Sequence, residues 1–342
     1  MPEISRVLVI AEIGVNHNGD LELAKHMIDA AATSDVDIIK FQTAVPELVQ
    51  IETAPKAKYQ TTTTDADESA MDMIASLQFR YDEFRDLKDY VESRGKQFLS
   101  TAFDLESLEF LSSLGLTLFK IPSGEITNLP YLRSIARLAE DIILSTGMGT
   151  MEEVTAAVDA IVAAGFSREH LTVLQCNTAY PSPISDTNLL AMVAMGKELG
   201  VKFGYSDHTQ GSSASIAAVA LGATVIEKHF TTDTTLPGPD QHASMEPEAF
   251  AALVTSIREV ESALGSSKKA ITDSERENRP IARRGVYASR DLPAGEAITM
   301  ADIVCLRPET ELSPMDIDAV LGRKLTSPVG KHTPIDLDKL SP

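Results

Sequence analysis

The sequence predicts a (β/α)8 TIM barrel followed by a small β-rich module. Three observations predict it: eight short apolar runs of strand length alternate with eight stretches of helical period, the alternation fills about 265 residues, and the composition changes after Gly265. Strands are expected at Val7 to Gly14, Val36 to Thr43, Lys96 to Phe103, Leu116 to Gly124, Asp141 to Met148, Leu171 to Tyr180, Val201 to Thr209 and Thr224 to Thr231. Helices are expected at Leu21 to Thr33, Tyr81 to Arg94, Leu105 to Leu114, Leu129 to Ala139, Met151 to Ala164, Asn188 to Leu199, Ser212 to Leu221 and Pro247 to Leu264. Gly95, Gly115, Gly165, Gly200 and Gly265 stand where a left-handed helix end wants glycine. A doubly wound open sheet is the competing arrangement, and it usually follows its first strand with G-x-G-x-x-G. Here that place reads Gly14-Val15-Asn16-His17-Asn18-Gly19, which does not fit.

One connection is long. From Ala44 to Arg80 it carries Ala54 to Gln60 and the run Thr61 to Thr64 without a clear period, and it reads as a lid or binding loop, or equally as a surface insertion. The expected organisation is a barrel over 1–265, a polar linker over 266–282 and a small β-rich module over 283–342. In that module the runs Val286 to Ala288, Leu292 to Gly295, Ile303 to Leu306 and Val329 to Pro334 read as strands, and Met315 to Val320 as a short helix. Sixty residues make a marginal core, so the module is expected to lean on something else.

Charge excludes several functions. Thirty Lys and Arg face 50 Asp and Glu, a net charge of -20, which repels phosphate backbones and anionic lipid; no nucleic-acid or membrane partner is expected. No run approaches the ~18 apolar residues of a membrane span, and Val7 to Ala11 is too short for a signal segment. Cys176 and Cys305 lie far apart and form no disulfide framework, so a cytoplasmic protein is expected.

Barrel chemistry sits at the C-terminal ends of the strands. Those ends read Glu12; Lys40, Gln42; Ser100, Thr101; Lys120, Ser123, Glu125; Ser145, Thr146; Asn177, Thr178, Tyr180; Ser206, Asp207, His208; Glu227, Lys228, His229. A single strand-end Ser or Thr is ordinarily a turn or cap. Functional groups at every end point instead to an active site. His208 and His229 close consecutive strands, and two neutral imidazoles suit an open divalent-metal site completed by water and substrate oxygens. Cys176 could join them but reads as a buried thiol. Lys40 and Lys120, with Thr101, Ser123 and Ser206, form a phosphate or carboxylate pocket, or one lysine is a Schiff-base former. Lys228 is out of phase with its neighbours and should point outward into an ion pair. Glu125 serves as general base or as a helix cap, and Asp240, in the rigid loop Leu236 to Ser244, faces a hydroxylated substrate or merely connects.

At these residues the chain resembles a known family. Ala11 to Gly19, Lys40-Phe41-Gln42-Thr43, Ser100-Thr101-Ala102-Phe103, Lys120-Ile121-Pro122-Ser123-Gly124-Glu125, Ser145-Thr146-Gly147-Met148, Tyr180-Pro181-Ser182-Pro183, Ser206-Asp207-His208-Thr209 and Glu227-Lys228-His229-Phe230-Thr231 are together similar to the sialic acid synthases, which make N-acetylneuraminate, legionaminate or pseudaminate. Arg283 to Leu340 resembles their antifreeze-like (SAF) domain. The resemblance implies condensation of phosphoenolpyruvate with an open-chain N-acetylmannosamine-type sugar, releasing phosphate and a nine-carbon 2-keto-3-deoxy acid. It implies that Lys40, Thr101, Lys120, Ser123 and Ser206 hold phosphoenolpyruvate. It further implies that His208 and His229 bind Mn2+ or Mg2+, that Glu12, Tyr180 and Asp240 contact the sugar, and that Glu125 is the base. In that family a homodimer places the C-terminal domain on the partner barrel, with Arg307 in the position that reaches the N-acetyl group. Asn177-Thr178 departs from the Thr-Asn common in N-acetylneuraminate synthases and resembles legionaminate-type enzymes, whose acceptor is a 2,4-diacetamido sugar. A class I lyase and a non-catalytic sugar-binding protein remain the competing readings.

Overall fold

The computed structural model describes residues 6–57, 60–64 and 68–341, so Met1 to Ser5, Lys58, Tyr59 and Asp65 to Asp67 of the long connection, and Pro342 lie outside the described residues. The chain divides into two compact units, Met1–Gly265 and Ser266–Pro342. Among the described residues of the first, eight parallel strands close into a barrel in the order of the sequence. They are β1 Leu8–Gly14, β2 Ile38–Thr43, β3 Gln97–Ala102, β4 Leu118–Ile121, β5 Asp141–Ser145, β6 Leu171–Cys176, β7 Lys202–Asp207 and β8 Val225–His229. The eight expected helices surround them, from Leu21–Ala32 to Pro247–Leu264.

Local chemistry sets the helix ends. Asp20 accepts from the N–H groups of Glu22 and Leu23, Asp104 from Ser107, and Thr150 forms a reciprocal capping box with Glu153. The five helix-ending glycines all take positive φ. The barrel wall is dense in Ile, Val and Leu, with Ile10, Ile38, Ile39, Leu99, Ile121, Leu144, Val173 and Ile226 buried at 0 to 0% exposure. Each such side chain contributes roughly 1.5–3 kcal/mol on burial.

Three sequence expectations are corrected. Several strands stop earlier than their apolar runs suggest, β6 at Cys176 rather than Tyr180, because the rim residues leave the ladder for turns: Ser123–Glu125 is a short helical turn. The long connection is not structureless, for it holds short helices at Pro46–Val49, Gln60–Thr63 and Ala70–Ser76, the last capped by Ser69. Four to seven residues span too few turns for a hydrophobic period to register. For the same reason the linker reads as coil yet contains helices Asp273–Arg276 and Asn278–Ala282.

In the second unit two antiparallel strands, β9 Gly285–Ala288 and β10 Ile303–Leu306, pair directly. The runs at Leu292 and Val329 meet as an isolated bridge rather than as strands, and Pro314–Ala319 forms the short helical segment. Its core gathers Val286, Ala288, Leu292, Ile298, Leu312, Val320, Leu325, Val329, Ile335 and Leu340.

Candidate active site

Parallel pairing brings residues of matching register to the same face of the sheet, and alternation sends their neighbours to the other. Glu12 pairs with Lys40 on one side and with His229 on the other; Gln42 pairs with Thr101, and Thr101 with Lys120; Cys176 pairs with Ser206, and Ser206 with Glu227. One lumenal face thus carries side chains from seven of the eight strands. The register slips between Glu12 and Gly14, and Gly14 takes φ +57 there. A Cβ on it would stand 3.1 Å from Gln42 Nε2 and 3.2 Å from Glu12 Oε1, so the bare α-carbon admits both side chains.

Two lysines and two carboxylates fill the lumen. Lys40 Nζ lies 2.8 Å from Glu12 Oε2 and 3.6 Å from Glu227 Oε2, and donates to Thr101 Oγ1 at 3.0 Å. Glu227 Oε1 reaches Lys120 Nζ at 3.4 Å and accepts from Ser206 Oγ at 2.9 Å. Gln42 Nε2 donates to Glu12 Oε1 at 3.0 Å. Burial works against the Lys40 charge, but Glu12 and Glu227 outweigh it and raise its pKa; burial wins at Lys120, whose pKa falls. Burial likewise opposes ionisation of Glu227, but Lys120 and Lys40 hold it below the ordinary carboxylate range. Glu12 is pushed up by burial, against the pull of Lys40. Each lysine is therefore matched inside the protein, Lys40 closely by Glu12 and at longer range by Glu227, Lys120 at the longer range alone.

The histidines stand beside this cluster, ring centroids 5.3 Å apart. His208 Nδ1–H donates to the Asn177 carbonyl at 2.5 Å, which leaves Nε2 unprotonated, 3.4 Å from Ser206 Oγ. His229 Nδ1 is buried without a hydrogen-bond partner, 3.8 Å from Asp240 Oδ2. Burial pushes His208 down to about 4, and burial together with His208 puts His229 well below the usual imidazole range. Two neutral imidazoles, one with an unspent lone pair, fit a divalent cation. Among the described residues no group of three His, Cys, Asp or Glu forms a ready-made cage. Tyr180 stacks on His208 at 4.1 Å and meets His229 edge-on at 5.5 Å. Burial and the neighbouring Glu12 push Asp240 up to about 7.

The remaining predicted residues divide. Ser123 accepts from the Gly147 N–H at 2.9 Å and lies 3.3 Å from the buried Cys176 thiol; a Cβ on Gly147 would strike Ser123 Oγ at 2.9 Å. Glu125 is half-buried in its turn, accepts from Asn128 Nδ2 at 2.6 Å and has its pKa raised by burial; no described contact joins it to the lysines or histidines. Arg307 directly follows β10 in the second unit and is exposed. Lys228 points outward, as its phase predicts, 3.0 Å from Asp207 Oδ2.

Sequence reasoning gave Glu227, Gln42 and Asn177 no role. Glu227 was visible by its phase, two residues before His229 and hence on the same face. The use of the Asn177 carbonyl to fix a histidine tautomer leaves no mark in the residue types. The Asn177 side chain closes a local turn, accepting from the Ala179 N–H at 2.7 Å. Beneath the rim, Asn16 donates to the Phe230 carbonyl and Ser244, while Gln241 donates to the Asn16 carbonyl and accepts from Thr231, tying the loop that bears Asp240 to the loop after β1.

Comparison with known proteins places these features in context. The NeuB family profile matches residues 27–269 and the SAF domain profile residues 283–341. An N,N'-diacetyllegionaminic acid synthase of Campylobacter jejuni is 44% identical over 94% of this chain and 97% of its own. A second, from Legionella pneumophila, is 42% identical over 93% of this chain and 90% of its own. Among solved structures, an N-acetylneuraminic acid synthetase from Leptospira borgpetersenii superposes with a TM-score of 0.70 at 33% identity, covering 80% of this chain and 90% of that one.

Proposed function

The chain belongs to the NeuB family, and from that premise we propose that it is a synthase that condenses phosphoenolpyruvate with an open-chain N-acetylated amino-sugar to give a nine-carbon 2-keto-3-deoxy acid and phosphate. The observation that carries this reading is Glu12, flanked in register by Lys40 and by His229: a lysine suited to an anion and an imidazole suited to a cation share one wall of a buried lumen. The acceptor ranked first is the 2,4-diacetamido sugar, on the strength of the two relatives above 40% identity and of Asn177-Thr178; N-acetylmannosamine is the second.

In this mechanism Lys40, Lys120, Thr101, Ser123 and Ser206 bind the phosphate and carboxylate of phosphoenolpyruvate, with Lys40, Lys120 and Ser206 exchanging internal carboxylate partners for ligand-borne ones. Glu12, Tyr180 and Asp240 orient the sugar chain over the same face. His208 and His229 would hold Mn2+ or Mg2+, which when bound polarises the sugar aldehyde. C3 of phosphoenolpyruvate forms the new bond to the aldehyde carbon, whose C=O π pair passes to its oxygen and takes up a proton to become a hydroxyl; the cation left at C2 adds a water, which gives up a proton, and cleavage of the C2–O bond to phosphate with loss of the remaining hydroxyl proton leaves the keto acid and phosphate. Glu125, its pKa raised by burial, takes the proton of that water. The protein works as a homodimer in which Arg307 of the second unit serves the partner's site by binding the N-acetyl group.

Phosphate release is the test, from phosphoenolpyruvate with each acceptor in parallel, with and without EDTA. We expect release with an N-acetylated acceptor, faster with the 2,4-diacetamido sugar, and its loss on metal removal. Activity surviving complete metal removal would sink the metal-dependent reading, and trapping by borohydride would favour a Schiff-base lyase. Arg307→Ala should raise KM for the sugar far more than for phosphoenolpyruvate; equal effects would remove Arg307 from the acceptor site.

A further inference from the structure

We propose that the buried ion pair Asp207–Lys228, behind the sheet, is a clamp that sets the spacing and aim of His208 and His229 and thereby their affinity for a divalent cation. This rests on the reading that the two imidazoles bind such an ion. The two residues are register partners across β7 and β8, and strand alternation puts them on the outer face, opposite Ser206, Glu227 and the histidines that adjoin them in sequence. Lys228 Nζ lies 3.0 Å from Asp207 Oδ2, with side-chain exposures of 1% and 0%.

Three further bonds of the pair converge on the residue after His208. Asp207 Oδ1 accepts from the Thr209 N–H at 2.8 Å and from Thr209 Oγ1 at 2.7 Å, while Lys228 Nζ donates to the Thr209 carbonyl at 2.8 Å. Ser215 Oγ, in the following helix Ser213–Ala220, completes the network by donating to Asp207 Oδ2 at 2.6 Å. His208 is thus spanned by a bracket from 207 to 209. Its own carbonyl accepts from the Ser182 N–H at 2.8 Å, and its imidazole is turned by Asn177. On β8 the same lysine sits directly before His229, so one ion pair fixes the backbone of both imidazoles from behind.

Stability does not call for such a pair. The neighbouring outer-face positions on these strands, Tyr205 and Ile226, are buried and carry no charge, and a buried ion pair is often replaceable by apolar residues without loss. What an apolar pair lacks is direction: an ion pair with four further hydrogen bonds permits one arrangement of the two strand ends. Groups behind metal-binding histidines characteristically act this way, and losing them weakens metal affinity about 10–100-fold.

The experiment is a Mn2+ titration of the full chain without substrates, read by electron paramagnetic resonance, alongside thermal unfolding. Binding by the parent protein should disappear in His208→Ala. Lys228→Met and the charge-balanced Asp207→Asn/Lys228→Met should each bind Mn2+ at least about 10-fold more weakly while still unfolding cooperatively. Thr209→Val, which removes one bond of the bracket, should weaken Mn2+ less, and it decides the matter should neither clamp variant fold. A merely structural pair predicts lower Tm with unchanged Mn2+ affinity, and that result in the double variant, or in Thr209→Val standing alone, overturns the clamp. Mn2+ binding that ignores His208→Ala overturns the metal reading, and the clamp with it, and is recognised by that control alone.

Discussion

The barrel keeps a cluster of charged side chains at each end, and the two are built on opposite terms. At the N-terminal end Arg6 binds Asp35 at 2.8 Å and Asp37 at 3.1 Å, and Arg258 binds Asp35 at 3.2 Å, Asp37 at 2.9 Å and Glu261 at 3.0 Å. Backbone groups complete the set: Val9 N–H donates to Asp37, Val7 N–H to Glu261, and Arg258 to the Val7 carbonyl. These side chains are 15–60% exposed. At the C-terminal end the charges are 2–5% exposed, and two of the three ion pairs are stretched to 3.4 and 3.6 Å. The wet cluster is saturated by the chain itself and ties β1, β2 and the last helix together. The dry one holds its charges buried, with two lysines sharing one carboxylate at 3.4 and 3.6 Å.

The largest expected effect comes from breaking the dry cluster. Lys40→Met leaves Glu12 and Glu227 buried against each other without their shared cation, and removing one partner of a buried pair costs about 3–5 kcal/mol. Phosphate release should fall about 100-fold or more. Chemical unfolding and the phosphate assay check both; a folded variant of parental stability would mean that the lumen is wetter than its burial indicates, and would erase the contrast.

The wet cluster gives a smaller and cleaner outcome. Arg258→Met removes hydrogen bonds to Asp35, Asp37, Glu261 and the Val7 carbonyl at a half-buried site, and should cost about 2 kcal/mol. Turnover at 25 °C should be unchanged. A lowered kcat with intact KM values would show that the two ends are coupled through the strands.

How far each end was legible follows from the range of the interactions. Period-2 and period-3.6 runs are local, so the strands and the long helices could be placed, and phase alone sent Lys228 outward toward an ion pair. The identity of its partner could not be read, because Asp207 meets it through the β7–β8 register. Glu227 was missed for a related reason: its partners Lys40 and Lys120 belong to β2 and β4, across the lumen, and a carboxylate that looks like one more strand-end acid becomes the link between two lysines once the barrel closes. The family resemblance supplies a role for Arg307 that no local pattern carries. The N-terminal cluster went unnoticed since Asp35, Asp37 and Arg258 look like ordinary surface charges until 223 residues of chain bring the last helix beside β2.

The smallest effect isolates the electrostatics of the wet cluster. Burial opposes the Asp35 charge, but the hydrogen bonds and charges of Arg6 and Arg258 prevail and lower its pKa. A carboxylate with a lower pKa folded than unfolded adds stability above the unfolded value, about 3.9, and that addition is lost as pH falls through the folded value. Asp35→Asn should therefore lower Tm slightly at pH 7, by the equivalent of about 1 kcal/mol or less for so exposed a side chain. The difference between parent and variant should shrink as pH drops below about 4, and shrink also at 1 M salt, where the screening length falls to about 3 Å. Calorimetry across that pH and salt range reads it directly. A difference that persists at low pH and high salt would mean that Asp35 acts through packing or hydrogen-bond geometry. The N-terminal cluster would then differ from the lumenal one in exposure alone, with both held by fixed geometry, and the contrast between a saturated end and a waiting one would have to rest on the lysines.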